Sequence, residues 1–297
     1  MKELVLIHGR SQHDQASETL KREWIAAWER GLGKAGLSLP IPVERIRFPF
    51  YGDTLRDLVR GVDEHSAAKI IVRGAQDDAA ASGFLLDLLD EYIVACRIGE
   101  DEINRNIPRD GEPMVIERGV QNWRWVHAVL RTIDQHMPGG GALIGMLTHD
   151  VYMYLRKTNV RTVIHRGVGL AFDNPADKVV VAHSLGTIVA YLMLRQTTAQ
   201  AGWRVPTLIT LGSPLGIKAI RDRLGGVSHP TCVGNWFNAL DPHDVVALYP
   251  LDQRNFRVNP PIENKTDVAN HTGNQHGIEG YLDDPVIARR IHDALIK

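Results

Sequence analysis

The stretch Val179-Val180-Val181-Ala182-His183-Ser184-Leu185-Gly186-Thr187 decides how this chain folds. Its consecutive β-branched residues read as a strand buried on both faces. The apolar run from Leu185 to Thr198 reads as a helix, so the chain must turn sharply at Ser184. A serine on such a turn lifts its hydroxyl above the carboxyl edge of a sheet. Small residues two before and two after it, here Ala182 and Gly186, let strand and helix approach closely. The pattern is strand, G-x-S-x-G, helix, with Ala182 at the first glycine adding one methyl group. A serine before a helix can also be a plain N-terminal cap. The complete context of strand, His-Ser-Leu-Gly core and helix favours a nucleophile whose helix adds its dipole at the reacting centre.

Outward from this turn, strands and helices alternate. Glu3 to Ile7 is a short apolar run ending at His8-Gly9, and Ser17 to Lys34 carries Leu20, Trp24, Ala27, Trp28 and Leu32 at helical spacing. Val43 to Phe48 is a further strand candidate. Downstream, Pro206 to Leu211 and Thr231 to Phe237 read as strands, Ile217 to Leu224 as a short helix, and Asp284 to Ile296 as a closing helix. Such alternation predicts a mostly parallel sheet with helices on both faces, with functional groups at the carboxyl ends of strands. Between Asp77 and Asp177 the character is helical instead. Phe84 to Ala95 is amphipathic, Ile116 to Met137 contains a second helix, Pro138-Gly139-Gly140-Gly141 breaks it, and Asp150 to Phe172 reads as one more.

Composition bounds what this architecture can do. The 297 residues carry 34 Lys and Arg against 35 Asp and Glu, a formal charge of −1, so nucleic-acid binding by bulk charge is not expected. No apolar run approaches the roughly 18–20 residues of a membrane-spanning helix, and no signal-peptide pattern precedes the first strand. Only two cysteines, Cys96 and Cys232, are present. A disulfide framework is not expected, and a reducing, cytoplasmic setting is.

Ala182-His183-Ser184-Leu185-Gly186 resembles the nucleophile elbow of the α/β-hydrolase superfamily, particularly its lipase and esterase branch. Thr210-Leu211-Gly212-Ser213-Pro214 is similar to the T-x-G-S-P that follows in lipase-like members. The resemblance implies a Ser-Asp-His triad in that chain order, because a serine hydroxyl needs a base held by a carboxylate. The acid is expected after the strand Thr231 to Phe237, where Asp241 and Asp244 both stand. Asp244-Val245-Val246, with Pro250 beyond, resembles the D-x-V-P stretch that carries the acid, whereas Asp241-Pro242 reads as a turn. Asp244 is preferred, with Asp241 the alternate. For the base, His276 in the loop before the last helix is preferred over His271, and Gly273 and Gly277 suggest that this loop is exposed. The oxyanion donors implied are the backbone N–H of Leu185 and, from the loop after His8-Gly9, that of Arg10, with Ser11 next.

The implied organisation is an α/β-hydrolase body from 1–72 and 178–297, interrupted by a helical cap from 73–177. The body starts directly at the oxyanion strand. Implied chemistry is cleavage of a small-molecule or lipid ester through an acyl-enzyme on Ser184, without cofactor or metal. A thioesterase or amidase would use the same triad, and a non-catalytic binding protein would keep the fold. Oligomeric state is not legible. Other signals carry less. Gly31-Leu32-Gly33-Lys34-Ala35-Gly36 spells G-x-G-x-x-G but follows a helix, so it reads as a helix end. His271 and His276 are a weak metal pair. Trp123, Trp125, Tyr152 and Tyr154 suit an acyl pocket or a helical core equally well.

Overall fold

The computed structural model describes residues 1–9, 17–51, 79–107, 119, 123–137 and 139–297. Strands β1 (Glu3–Ile7), β2 (Ile46–Arg47), β3 (Lys178–His183), β4 (Val205–Leu211), β5 (Val233–Ala239) and β6 (Glu263–Lys265) form one sheet among these residues. Their spatial order is β2-β1-β3-β4-β5-β6, and every pair is parallel. The register Glu3↔Lys178 to Ile7↔Ala182 sets β1 alongside β3, and His183↔Leu211 carries the alignment into β4. The carboxyl ends of β1, β3 and β4 therefore come out together.

Both faces of the sheet are covered, which is why the central strands are apolar throughout. Leu4 and Leu6 of β1, with Val179 and Val181 of β3, pack on one side against α1 (Ser17–Lys34) and α10 (Pro285–Ile296). Val5, Ile7, Val180 and Ala182 face the other side. There they share a core with Leu185, Ile188 and Val189 of α7 (Leu185–Ala201). Helices α2 (Ala79–Ala95), α3 (Glu100–Arg105), α4 (Trp123–His136), α5 (Gly140–Arg156) and α6 (Thr158–Gly169) lie between β2 and β3 in sequence. Phe84, Leu88, Val129, Ile144 and Ile164 from these helices join that core, so the insertion-side helices and the sheet are continuous. Two short helices, α8 (Lys218–Arg221) and α9 (Ile278–Leu282), complete the described elements.

The structure corrects several element boundaries. The strand expected over Val43 to Phe48 shrinks to two residues, because Val43–Arg45 forms a 3-10 turn after Pro42. The helix expected over Asp150 to Phe172 is two helices and a 3-10 turn, parted at Lys157, whose ψ of 98° is extended. The first of them starts at Gly140, inside the run expected to be a break. Gly139 makes the turn at φ 80°. Gly141 belongs in the helix because a Cβ there would lie 2.3 Å from the carbonyl oxygen of Leu130, so only glycine lets α4 and α5 come this close. Strand β6 and helix α3 are too short and polar to have shown a period, and helix α9 is too short.

Candidate active site

Ser184 sits between β3 and α7 with φ 55° and ψ −130°, backbone angles that an L-residue adopts only under constraint. The constraints are visible. Its N–H donates to the carbonyl of Leu211 at 3.1 Å, and its own carbonyl accepts from the N–H and hydroxyl of Thr187 at 2.9 and 2.7 Å. The Thr187 hydroxyl is also bonded to that of Ser213 at 2.8 Å, which ties the elbow to the end of β4. Close approach explains the small residues around it. A Cβ on Gly186 would lie 2.5 Å from the carbonyl oxygens of both Ile7 and His8. One on Gly9 would lie 2.8 Å from the Cβ of Ser184 and 3.2 Å from its hydroxyl oxygen.

Asp244 and His276 meet beside this turn. His276 Nδ1 and Asp244 Oδ2 are 2.8 Å apart, with the carboxylate fully buried and the ring 8% exposed. The other carboxylate oxygen of Asp244 accepts the N–H groups of Val246 and Ala247. With the carboxylate acting as acceptor, Nδ1 is the donor nitrogen, which leaves Nε2 as the acceptor of a neutral ring. Gly212, at φ 55° after β4, leaves the space they need. A Cβ on it would lie 3.1 Å from Asp244 Oδ2 and 3.2 Å from two atoms of the His276 ring. Among the described residues, no hydrogen bond joins Ser184 Oγ to His276 Nε2.

The base loop is exposed at Gly273 and half-buried at Gly277, but His276 between them turns inward. His276 is buried, because the loop is folded down by its own polar groups. The N–H of His276 donates to Asn274, that of Gly277 to the Thr272 hydroxyl, and Asn270 donates to the Gly277 carbonyl. Beneath it, His183 of β3 donates from Nε2 to the His276 carbonyl at 2.8 Å, and the two rings lie 4.6 Å apart. Burial, then the neighbouring His276, push the His183 pKa well below its ordinary value, so this ring stays neutral.

The alternates sit elsewhere. Asp241 is buried as a loop staple: one oxygen accepts from His243 N–H at 2.7 Å, the other from Asn270 N–H at 2.6 Å. His271 is 53% exposed and bonded to Asp283, which Lys34 also approaches. Among the described residues neither side chain is hydrogen-bonded to Ser184, Asp244 or His276; Asp241 meets Asp244 only through its backbone carbonyl, which accepts the Asp244 N–H at 3.0 Å.

For the oxyanion, the Leu185 N–H belongs to the first turn of α7, where a helix offers its own amides no acceptor. Arg10 and Ser11 lie outside the described residues. The strand end leading to them is held firmly. His8 stacks on Tyr51 at 4.3 Å and on Phe48 at 5.4 Å, and the Tyr51 hydroxyl donates to the His8 carbonyl. Burial lowers the His8 pKa to about 4, against an opposing hydrogen bond from Nδ1 to the Gly9 carbonyl, so His8 is a neutral spacer.

Sequence reasoning passed over Tyr281, whose hydroxyl donates to Asp244 Oδ2 at 2.6 Å, and treated His183 only as part of a motif. In the insertion, Tyr154 is fully buried with its hydroxyl on His165, Trp125 is buried, and Tyr152 stacks on Phe84. These three rings are core contacts between helices, and the side chain of Trp123 lies outside the described residues. Gly31 to Gly36 ends α1, with Gly36 at φ 70°. Among the described residues, no cluster of three or more His, Cys, Asp or Glu could hold a metal, and no helix is long and apolar enough to cross a membrane.

Comparison of the chain with known protein families, with curated proteins and with solved structures gives no match.

Proposed function

We propose that this protein is a serine hydrolase with the α/β-hydrolase fold, cleaving a carboxylic ester through an acyl-enzyme on Ser184. One observation carries the proposal. A serine in a constrained elbow after β3 is tied to the end of β4 through Leu211, and a buried, hydrogen-bonded pair, Asp244 from the loop after β5 and His276 from the loop before α9, lies against Gly212 at that same strand end. A serine that merely capped a helix would have an extended backbone and accept an N–H on its side chain; Ser184 has neither feature.

In this mechanism His276 Nε2 removes the Ser184 proton as Oγ attacks the ester carbonyl. Asp244 holds the ring in the required tautomer and stabilises the imidazolium. The Leu185 N–H receives the developing oxyanion, a donor worth about 3–4 kcal/mol where such groups have been removed. His276 then protonates the leaving alcohol, and water, activated by the same nitrogen, releases the acid.

A fluorophosphonate probe tests this directly. The folded protein is expected to gain one adduct, mapped to Ser184 by peptide mass spectrometry, and Ser184→Ala is expected to gain none. An unlabelled native protein, or undiminished labelling of the Ala variant, overturns the assignment. Matched ester, thioester and amide substrates then define the bond, and nitrophenyl esters of rising chain length define the acyl group.

A further inference from the structure

We propose that Tyr281 is a positioning residue for this reaction, its hydroxyl fixing and tempering the carboxylate oxygen of Asp244 that holds His276. The inference rests on the Ser184–His276–Asp244 reading above and deepens it.

Tyr281 lies in α9, two elements away in sequence from the acid loop, and is fully buried. Its hydroxyl accepts the N–H of Asp241 at 3.1 Å and donates to Asp244 Oδ2 at 2.6 Å. The accepted bond matters because it fixes the orientation of the donated one. With Asp241 N–H on the phenol oxygen, the O–H proton is directed at the carboxylate. Oδ2 thus receives two donors, Tyr281 and His276, while Oδ1 receives the amides of Val246 and Ala247. The carboxylate cannot rotate without breaking several bonds at once.

Two consequences follow for catalysis. The plane of Asp244 is fixed, so the His276 ring is aimed before substrate binds. Charge on Oδ2 is shared between the phenol and the imidazole, which limits how strongly Asp244 can hold His276 as an imidazolium. Burial, and then the Asp244 charge, raise the Tyr281 pKa well above its ordinary value, keeping it a proton donor throughout the working range. Other groups facing this cluster are His183 from β3, with its ring 5.9 Å from Tyr281, Asp241 on the acid loop, and Tyr92 of α2 beyond Asp244. His183 is neutral and Tyr92 is held protonated by burial, so neither changes charge across the neutral range.

The test is Tyr281→Phe, which removes one oxygen, read by steady-state kinetics on a nitrophenyl ester across pH. The expected result is a kcat lower by about tenfold, in line with losing one charge-assisted hydrogen bond, at a KM changed less than about twofold. The acid limb of kcat/KM should move up by about half a pH unit, because the freed carboxylate holds imidazolium more tightly. Since Asp241 also loses an acceptor, a purely structural Tyr281 would lower Tm and leave kcat and the acid limb in place, which overturns the proposal. 3-Fluorotyrosine at position 281 serves where the Phe variant does not fold. It keeps the hydroxyl but donates more strongly, so the acid limb should move down with kcat retained; an unmoved limb overturns the proposal. A native protein that neither reacts with the fluorophosphonate nor turns over ester fails at the earlier reading instead.

Discussion

Replacing Ser184 with glycine should stabilise this protein relative to replacing it with alanine, the reverse of the usual ranking. The φ of 55° and ψ of −130° at this residue lie where a Cβ crowds the backbone. Strain of this kind costs about 1–3 kcal/mol. Glycine removes it, but its freer unfolded chain costs about 0.5–1 kcal/mol. The difference leaves Ser184→Gly more stable than Ser184→Ala by roughly 0.5–2 kcal/mol. Both variants lack the hydroxyl, so its loss cancels in the comparison. For a chain of this size 1 kcal/mol corresponds to about 2 °C in Tm, so the glycine variant should melt some ~1–4 °C higher. Gly33 in α1 supplies the control, since a Cβ added there meets nothing within 4 Å. Gly33→Ala should raise stability, as helix propensity dictates. Urea unfolding of the three variants and the parent, followed by circular dichroism, is the assay. A Ser184→Gly protein less stable than Ser184→Ala, with Gly33→Ala behaving normally, would refute the idea that the elbow is strained.

Gly186→Ala should destabilise by about 1–3 kcal/mol, the range for overpacking, because the new methyl meets backbone oxygens of β1 that cannot swing aside; denaturant midpoints measure it. His276→Ala and Asp244→Asn should each lower kcat/KM by a factor of about 10³ or more. Asp241→Asn should act mainly on Tm and His271→Ala on neither quantity; loss of turnover in these last two with normal Tm would move the acid and base assignments. Glu3 supplies an acid-sensitive lock at the opposite end of the sheet. Burial raises its pKa, but hydrogen bonds from Asn174, Lys178 and Arg47 outweigh burial and lower it from 4.5 to about 2. A carboxyl held down in the folded state contributes stability above its unfolded pKa and loses it as pH falls, here between about pH 5 and 2. Glu3→Gln should therefore flatten the stability profile in that window, by on the order of 2–3 kcal/mol.

Much of the sheet is legible because its central strands obey a simple rule. Val179 to Val181 and Leu4 to Ile7 are apolar without alternation, as burial on both faces requires. Helix α10 is equally plain, since Asp284 and Pro285 are cap and first-turn residues, and Asp284 does accept the N–H groups of Val286 and Ile287. Strand β6 was not legible. Glu263-Asn264-Lys265 has no apolar period, and it is held by Asn238 donating to Asn264 and by Leu240 donating to Lys265. The parting of the long helical pattern at Lys157 was hidden for a related reason, as neither glycine nor proline marks it. At the candidate site, residue order and the stretch Asp244-Val245-Val246 favour Asp244 and His276, but both aspartates are buried, and no local pattern shows which of them is free to face the histidine. That choice depends on Asn270 and His243 occupying Asp241, which are contacts of the folded chain. Tyr281 is invisible for the same reason.

The acid loop is also gripped from the insertion side. The Tyr92 hydroxyl of α2 donates to the Val245 carbonyl at 2.7 Å, one residue past Asp244. In the same helix the Glu91 carboxylate accepts the N–H groups of Lys218 and Ala219, and Asp87 pairs with Arg223. Grafting a foreign insertion onto this body, as a test of the proposed function would invite, inherits a constraint from that seam. Asp87, Glu91 and Tyr92 would have to travel with the host, and the junction for a transplant belongs after them. The insertion is accordingly not a detachable module, because its first described helix also braces the loop carrying Asp244.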